Sequence, residues 1–332
     1  MALAVVYHHG DCEQHQTTLE GEDVPHQECA LRVTSVISGL RSWAQPRSVV
    51  FESQFSRASE EQLLRVHSAR YLQTLRDAAA NAAATGEPRP LTPPPGGATR
   101  VSGRSFVAAS RAAGAACAAV DRLLSDGPRL VFFCAVRPPG HHACHDGLDL
   151  RAGGHGFSLL NSVAIAAAHA LATSPHVRIA IVDFDVHHGN GTEQWACALE
   201  PDLARRVLYA SVHLREVFVD PDEDFFPGSG AAHEADIAGN GATIVNAPLT
   251  PLWTARSQLG ASHDGKLGPS SGSAGFRAAI EERIAPALRR HNPTLVLFSA
   301  GFDGAYGDEG CVQVLHAFFS AFAWKAWPGR PL

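Results

Sequence analysis

The sequence IVDFDVHHGNGT, residues 181–192, places carboxylates, imidazoles and glycines at the end of an apolar run. Asp185 and His187 are two residues apart, so on a β-strand their side chains would share one face with that of Asp183. Carboxylate oxygen and imidazole nitrogen are common ligands of divalent metals. With Asp303 from another strand end as a third ligand, such a site keeps an open position for water or substrate. The spacing therefore predicts a catalytic metal site.

A second reactive group, the pair His141 and His142, follows the apolar run RLVFFCAV within the segment RPPGHHA. The stiff Pro-Pro dipeptide and the permissive glycine before the pair prescribe its backbone direction, which suits a general base that must stay within hydrogen-bond reach of water. Asp183 is a candidate partner, because a nearby carboxylate raises histidine basicity and fixes the tautomer. An isolated HH pair or DxD is more often a surface or capping feature, but the combination favours catalysis.

Several predicted elements would position these side chains. Alternating apolar strands and alanine-rich helices favour an α/β fold with a mainly parallel sheet and helices on both faces. In such a sheet, ligands bind beyond the carboxyl ends of the strands, where the reactive residues fall. The predicted strands are 2–7, 48–53, 129–136, 178–186, 206–213 and 294–303. The predicted helices are 58–85, 104–125, 161–173 and 274–290.

The whole chain has the composition of a globular protein, with 332 residues, 45% hydrophobic and 18% charged, and a formal net charge of -6. We expect a single domain over 1–332, with an exposed Pro/Gly-rich loop at 86–100 and a flexible insertion at 254–275. Basic clusters and long apolar runs are lacking in the sequence, which argues against nucleic-acid and membrane partners. Scattered cysteines and the absence of a signal-peptide pattern predict a nuclear or cytoplasmic protein.

Six segments in order, RPPGHHA, GHGFSLLNSVAIAA, IVDFDVHHGNGT, LYASVH, FFPGSG and SAGFD, resemble the zinc-dependent histone deacetylase family. The similarity is greatest to its class II and bacterial amidohydrolase-like branches, and it extends from about residue 26 to residue 308. It implies an arginase-deacetylase α/β fold with one zinc ion on Asp185, His187 and Asp303. It also implies that His142 is the general base, that His141 is its acid or electrostatic partner, and that Asp183 hydrogen-bonds to the pair.

The resemblance implies binding features as well. A tunnel for the acetyl-lysine side chain would be flanked by Gly156, Phe157 and Phe226. A structural potassium ion would be bound, partly through main-chain oxygens, near Asp183, Asp185, His187 and Ser211. The implied substrates are acetylated histone tails or other acetyl-lysine proteins, and a co-repressor complex is an expected partner.

Two features depart from the family pattern. The family tyrosine that donates to the tetrahedral oxyanion stands in a GGY turn well downstream of the third ligand, whereas residues 304–332 contain no such turn. Tyr306 follows Asp303 within the ligand loop itself. Since one oxyanion donor typically contributes about 100- to 1,000-fold in rate, we expect a missing C-terminal part and an impaired enzyme. The insertion at 254–275 is the second departure.

Three functions remain open on the sequence. Zinc-dependent hydrolysis of acetyl-lysine amides is the leading prediction. An acetylpolyamine amidohydrolase would share every motif quoted above, and a catalytically weak deacetylase-like binding module is motivated by the tyrosine. An arginase-type ureohydrolase is disfavoured, because neither DFDVHHG nor SAGFD offers the additional acid that a two-metal site needs.

Overall fold

The computed structural model describes residues 3–19, 26–43, 49–92, 99–126, 130–149, 151–215, 225–235, 239–250 and 272–304. The chain divides into two compact units, with the boundary between Pro175 and His176. Each unit has its own sheet and apolar core. The prediction of a single domain over 1–332 stays a prediction.

The first unit contains five of the described strands and five of the described α-helices. The strands are β1 (Leu3–Tyr7), β2 (Val49–Glu52), β3 (Arg89–Pro90), β4 (Arg100–Val101) and β5 (Leu130–Cys134). The helices are α1 (Ala30–Trp43), α2 (Glu60–Leu64), α3 (Ala69–Thr85), α4 (Ser105–Asp126) and α5 (Ser162–Thr173). A 3-10 turn, Gly10–Glu13, follows β1.

A parallel sheet with the order β2-β1-β5 forms the centre of this unit. Side chains alternate along β1, so its two faces contact different helices. Val5 packs against Ala115 of α4 on one face. Val6 packs against Val33 of α1 on the other face. Helices therefore cover both faces, as the sequence predicted for the sheet.

The Pro/Gly-rich stretch at 86–100 has defined structure at both ends. Gly86 ends α3 with a left-handed φ of 76°, a conformation that glycine adopts without strain. At the other end, β4 pairs antiparallel with β3. Thr99 is buried, so the prediction of an exposed loop is wrong at the C-terminal end of the stretch. Residues 93–98 lie outside the described part of the chain.

The second unit contains a five-stranded sheet with the order β10-β6-β7-β9-β8. All its pairings are parallel except that of the short edge strand β8 with β9. The strands are β6 (Ile179–Asp183), β7 (Val207–Leu214), β8 (His233–Ala235), β9 (Thr243–Leu249) and β10 (Leu295–Ser299). The helices are α6 (Asn190–Cys197), α7 (Pro201–Ala204), α8 (Gly272–Ala279) and α9 (Ala285–His291), with a π-helical turn, Ile280–Ile284, between the last two.

One face of this sheet packs against the C-terminal helices of the unit. Val182 and Val245 of the sheet share an apolar cluster with Ile280 and Ile284 of the π-helical turn. Helix α8 begins at Gly272, within the last four residues of the predicted flexible insertion at 254–275, which stays a prediction. The remainder of that insertion lies outside the described residues.

The predicted α/β fold with parallel sheets flanked by helices is confirmed. The observed β5, β6 and β10 are shorter than predicted and end at Cys134, Asp183 and Ser299. The reactive residues therefore lie beyond the carboxyl ends of the strands, as expected for an α/β protein. Within the described residues, no helix combines the length and the apolarity that crossing a bilayer would need.

Candidate metal centre and histidine pair

The three predicted metal ligands converge in the second unit. The ligand atoms of Asp185, His187 and Asp303 all lie within 4.8 Å of one another. His187 Nδ1 is 2.9 Å from Asp185 Oδ1 and 3.0 Å from Asp303 Oδ2. The three side chains are partly accessible, with exposed fractions of 17% to 32%. This geometry leaves an approach from solvent toward the ligand atoms.

The prediction that Asp185 and His187 lie on a strand is wrong. Strand β6 ends at Asp183, whose Oδ1 accepts the backbone amide of Asp185 at 3.1 Å. Asp185 Oδ1 in turn accepts the backbone amide of His187 at 2.8 Å. Aspartate side chains that bond an amide two residues later stabilise turns in place of a strand ladder. The loop, rather than strand alternation, therefore brings the ligands together and leaves Asp183 outside the ligand set.

The charges in this cluster favour a bound cation. Burial lowers the pKa of His187, but hydrogen bonds to Asp185 and Asp303 and their negative charges raise it to about 10. Burial and the charge of Asp185 raise the pKa of Asp303, against the opposing effect of His187. Two carboxylates this close repel each other unless a positive charge lies between them. A zinc ion fits this donor set, because it accepts two carboxylate oxygens and one imidazole nitrogen and keeps a fourth position open.

Gly301 allows the two ligand loops to approach. A Cβ atom at this position would lie 2.0 Å from Asp185 Oδ2, which is far inside van der Waals contact. On the same side, Asp303 Oδ1 accepts the backbone amide of Val186 at 3.2 Å. The sequence contained the relevant motif, SAGFD, but the role of its glycine becomes visible only in three dimensions.

Two adjacent aromatic residues lie beside the ligand His187. The ring of Phe226, predicted to flank the substrate tunnel, is 6.1 Å from the His187 ring at an interplanar angle of 66°. The ring of Phe225, which the sequence did not single out, is 5.1 Å away and nearly parallel, at 7°. Phe226 therefore lies next to the candidate metal site, and Phe225 contacts the same ligand in a different way.

Two of the four residues of the predicted potassium site lie on adjacent strands. Asp183 of β6 is in register with Ser211 of the parallel strand β7, and both are fully buried. Ser211 Oγ lies 2.8 Å from Nδ1 of His213. Asp185 and His187, the other members of the set, follow β6. Binding of potassium there stays a prediction.

The histidine pair lies in the first unit. The ring centroids of His141 and His142 are 3.9 Å apart, and the two residues are 8% and 3% exposed. The backbone amide of His142 donates to Ser158 Oγ at 3.3 Å. A Cβ atom at Gly156 would lie 2.3 Å from His142 Cδ2, so the predicted tunnel glycine is pressed against this histidine. The predicted hydrogen bond from the pair to Asp183 stays a prediction.

Phe157, the other predicted tunnel residue, has an unusual backbone. Its φ is 61°, in the left-handed region that is costly for residues with a side chain. The buried Thr99 holds this conformation, because its Oγ1 accepts the backbone amide of Phe157 at 2.9 Å. The ring of His26 meets the Phe157 ring edge-on, with centroids 5.1 Å apart. The Pro/Gly-rich stretch thus contributes Thr99 to the placement of Phe157.

A buried charge network precedes the histidine pair. Arg137, the first residue of RPPGHHA, donates to both carboxylate oxygens of Glu28 at 2.9 and 2.6 Å and to the carbonyl oxygen of His15 at 2.7 Å. Burial tends to raise the pKa of Glu28, but bonds to His15 and Arg137 lower it to about 2. The carboxylate therefore stays charged, and the network fixes the start of the segment leading to the pair.

The same network continues to α4 through His15. His15 Nε2 lies 3.2 Å from Glu28 Oε2, and its Nδ1 lies 2.6 Å from Ser105 Oγ. Ser105 Oγ also accepts the backbone amide of Ser102 at 2.7 Å. Sequence reasoning assigned no role to these residues. They are far apart in the chain, and no local pattern connects them.

His67 supports the turn that follows the pair. Its Nε2 accepts the backbone amide of Asn161 at 2.9 Å, so its Nδ1 carries the hydrogen that is donated to the carbonyl oxygen of Cys144 at 2.9 Å. Burial lowers the pKa of His67 to about 4. It is therefore a neutral, fully bonded side chain at neutral pH.

Comparison with known proteins identifies the same family along most of the chain. The model of the histone deacetylase domain family matches residues 26–323. An uncharacterized protein of Synechocystis is 34% identical over 291 residues, which cover 85% of this chain and 77% of that protein. A histone deacetylase-like amidohydrolase of Pseudomonas aeruginosa is 30% identical over 295 residues, 88% of this chain. The chain spans less than two thirds, 63%, of that Pseudomonas protein.

A solved structure also resembles this fold. The crystal structure of the HDA15 HD domain matches with a TM-score of 0.74 and 26% sequence identity. The match covers 97% of this chain and 79% of that one. The similarity therefore extends to the three-dimensional arrangement of the elements.

Proposed function

Because this chain belongs to the histone deacetylase family, we propose that it is a zinc-dependent deacetylase that hydrolyses acetyl-lysine amides in histones or other proteins. The observation that carries this proposal is the convergence of Asp185, His187 and Asp303, whose ligand atoms lie within 4.8 Å of one another. Three ligands with partial access to solvent are typical of catalytic rather than structural zinc sites.

These three residues would hold the zinc ion, with His187 binding through Nδ1. When bound, zinc acts as a Lewis acid toward the amide carbonyl and lowers the pKa of a coordinated water toward about 7. Each carboxylate already uses one oxygen to accept a backbone amide, Asp185 from His187 and Asp303 from Val186. These bonds fix the carboxylates, so the ligand set needs little rearrangement on binding.

The histidine pair would move the protons of the reaction, with His142 as the general base and His141 as its acid or electrostatic partner. Their rings are 3.9 Å apart, so a positive charge on one disfavours a positive charge on the other. In a pair with one neutral and one protonated imidazole, the neutral ring can accept a proton from water and the protonated ring can deliver one to the leaving amine. Asp183 is proposed to hydrogen-bond to the pair and hold its tautomer.

The substrate would enter past aromatic side chains. Gly156, Phe157 and Phe226 are proposed to flank the aliphatic stem of the acetyl-lysine, since aromatic faces pack well against methylene groups. Acetylated histone tails or other acetyl-lysine proteins are the proposed substrates, in the nucleus or cytoplasm and with a co-repressor complex as partner. A potassium ion is proposed near Asp183, Asp185, His187 and Ser211, bound partly through main-chain oxygens.

The test is hydrolysis of an acetyl-lysine peptide together with zinc stoichiometry. We expect zinc-dependent turnover, a loss of about 100- to 10,000-fold in kcat for His142→Ala, and loss of zinc for Asp185→Ala. His176→Ala, at an exposed position, is the matched histidine control. Full activity after either of the first two substitutions would contradict the proposal. Bound zinc and bound acetyl-lysine without turnover would instead favour a deacetylase-like binding module.

An acetylpolyamine amidohydrolase is the second candidate. A relative named histone deacetylase-like amidohydrolase, from Pseudomonas aeruginosa, is similar over 88% of this chain, so an amide substrate other than a histone is the alternative that we propose. Both functions would use the same metal ligands and histidines. Turnover of acetylputrescine with none of acetylated peptides would select this alternative.

A further inference from the structure

Phe225 and Phe226 are neighbours in sequence but contact the metal ligand His187 differently. The Phe225 ring lies flat against the imidazole, with centroids 5.1 Å apart and planes at 7°. The Phe226 ring meets it edge-on, at 6.1 Å and 66°. A ring that lies parallel to the imidazole restricts its rotation about the Cβ–Cγ bond more than an edge-on ring does. That rotation would turn the imidazole plane into the face of the parallel ring. The two phenylalanines are therefore suited to different tasks.

Phe225 also contacts the core of the second unit. It is partly buried and packs against the apolar cluster that contains Val186 and Val212. Its ring thus lies between the core and His187, so it cannot move away without leaving apolar neighbours. This placement allows Phe225 to hold the imidazole plane in the orientation that points Nδ1 at Asp185 and Asp303.

Hydrogen bonds anchor the loop that carries Phe225. The backbone amide of Gly228 donates to the Phe225 carbonyl oxygen at 2.8 Å, which closes a turn. Ser229 Oγ lies 2.8 Å from Nδ1 of His188, the residue next to the metal ligand. His188 is buried, and its Nε2 lies 3.0 Å from Glu193 Oε2. The loop and the ligand segment are thus joined through His188, which keeps Phe225 in place over His187.

We infer that Phe225 is a positioning residue for the metal centre, whereas Phe226 acts on substrate. The inference rests on the proposed function in that the three ligands must bind zinc. Residues around a metal site fix the orientation of its ligands and control the access of solvent to them. An imidazole bound to a metal also carries additional positive charge, which an aromatic face stabilises. Loss of the Phe225 ring should therefore weaken metal binding itself.

The experiment compares zinc affinity, by competition with a chromogenic chelator, and the visible absorption spectrum of bound Co²⁺. We expect Phe225→Leu to lower zinc affinity by about 10- to 100-fold and to change the Co²⁺ spectrum. Phe225→Tyr, which keeps the ring, should restore both. Phe226→Leu is the matched control, with unchanged zinc affinity and a raised KM for an acetyl-lysine peptide. Circular dichroism of the metal-free proteins checks that each variant is folded.

The outcomes separate this inference from the proposed function. Equal zinc affinity and identical Co²⁺ spectra for Phe225→Leu and the wild-type chain would overturn the inference and leave the proposed function intact. If the wild-type chain binds no zinc, the proposed function fails and the inference fails with it. Should Phe225→Leu not fold, Phe225→Met, which fills a similar volume without a ring, takes its place under the same criteria.

Discussion

The metal ligands of the second unit and the histidine pair of the first unit are held in place by different forces. Asp185, His187 and Asp303 are 17% to 32% exposed, and the two carboxylates both contact the imidazole of His187. His141 and His142 are buried, and the packing and hydrogen bonds around them fix their backbone. Changes near the metal ligands should therefore alter ion binding, whereas changes near the pair should alter the stability of the fold.

The largest expected effect is the loss of folding stability when the buried charge network before the histidine pair is disrupted. Arg137→Met leaves the buried Glu28 carboxylate without its main partner, so we expect unfolding to become easier by about 3 to 5 kcal/mol. Urea titration measures this loss. The double variant Arg137→Met with Glu28→Gln should recover part of it, since the uncompensated charge is gone. Zinc affinity should stay unchanged in the folded variants. An Arg137→Met protein as stable as the wild-type chain would contradict the claim that changes near the histidine pair alter the stability of the fold.

The next effect falls on the metal side. Gly301→Ala places a methyl group 2.0 Å from the present position of Asp185 Oδ2 and must displace that carboxylate. We expect zinc affinity to fall by about 10- to 100-fold, the range seen when the surroundings of metal ligands are disturbed. Chelator competition measures it. Gly39→Ala in α1, where a Cβ meets no atom within 4 Å, is the matched control and should bind zinc normally. Normal zinc affinity in Gly301→Ala would contradict the expectation.

The smallest expected effect is the contribution of His67, near the histidine pair, to the pH dependence of the stability of the fold. Burial holds the pKa of His67 at about 4 in the folded chain, below the value of about 6.5 expected after unfolding. As the pH falls below 6.5, His67 takes up a proton in the unfolded chain before it does so in the folded chain. The folded state therefore loses stability as the pH falls toward 4. From pH 7.5 to 5.5 the loss from this residue is about 1.4 kcal/mol.

The variant His67→Asn isolates that contribution. It lacks the titrating group, so its stability deficit relative to the wild-type chain should shrink as the pH falls over the same interval. Urea unfolding of both proteins at several pH values, with metal removed, measures the difference. A deficit that does not change with pH would show that His67 does not titrate as its burial implies.

The sequence predicted the helices and strands best where apolar patterns are uninterrupted. Strand β9 was missed, because its sequence TIVNAPL contains Asn246 and Pro248, residues that are depleted in strands. Pro248 is tolerated there since β8 pairs with β9 only through residues 244–246. The ends of β6 were misplaced for a related reason. The side chain of Asp183 captures the amide of Asp185 and ends the ladder, which hydrophobic periodicity does not reveal.

The metal ligands could be predicted because their types and spacing are sufficient to suggest a site. The supporting residues could not, because their partners are distant in sequence. Glu28 and Arg137 are 109 positions apart, and Thr99 and Phe157 are 58 apart. Nor does a pair of phenylalanines in sequence show which ring lies flat on a ligand. Such contacts depend on tertiary packing, which no local pattern encodes.

The buried network before the histidine pair contains a serine that a reagent for reactive serines should fail to label. Ser105, His15 and Glu28 bring a hydroxyl, an imidazole and a carboxylate together, with 2.6 Å from Ser105 Oγ to His15 Nδ1 and 3.2 Å from His15 Nε2 to Glu28 Oε2. The two imidazole nitrogens have the reverse of the roles that they have in a serine protease, where the hydroxyl lies on Nε2 and the carboxylate on Nδ1. All three are at most 1% exposed, so no acyl group can reach the hydroxyl. A fluorophosphonate probe should therefore leave Ser105 of the folded protein unlabelled. A search for a hydroxyl, an imidazole and a carboxylate in contact would select this serine, whereas the reversed imidazole nitrogens and the burial of all three side chains rule it out.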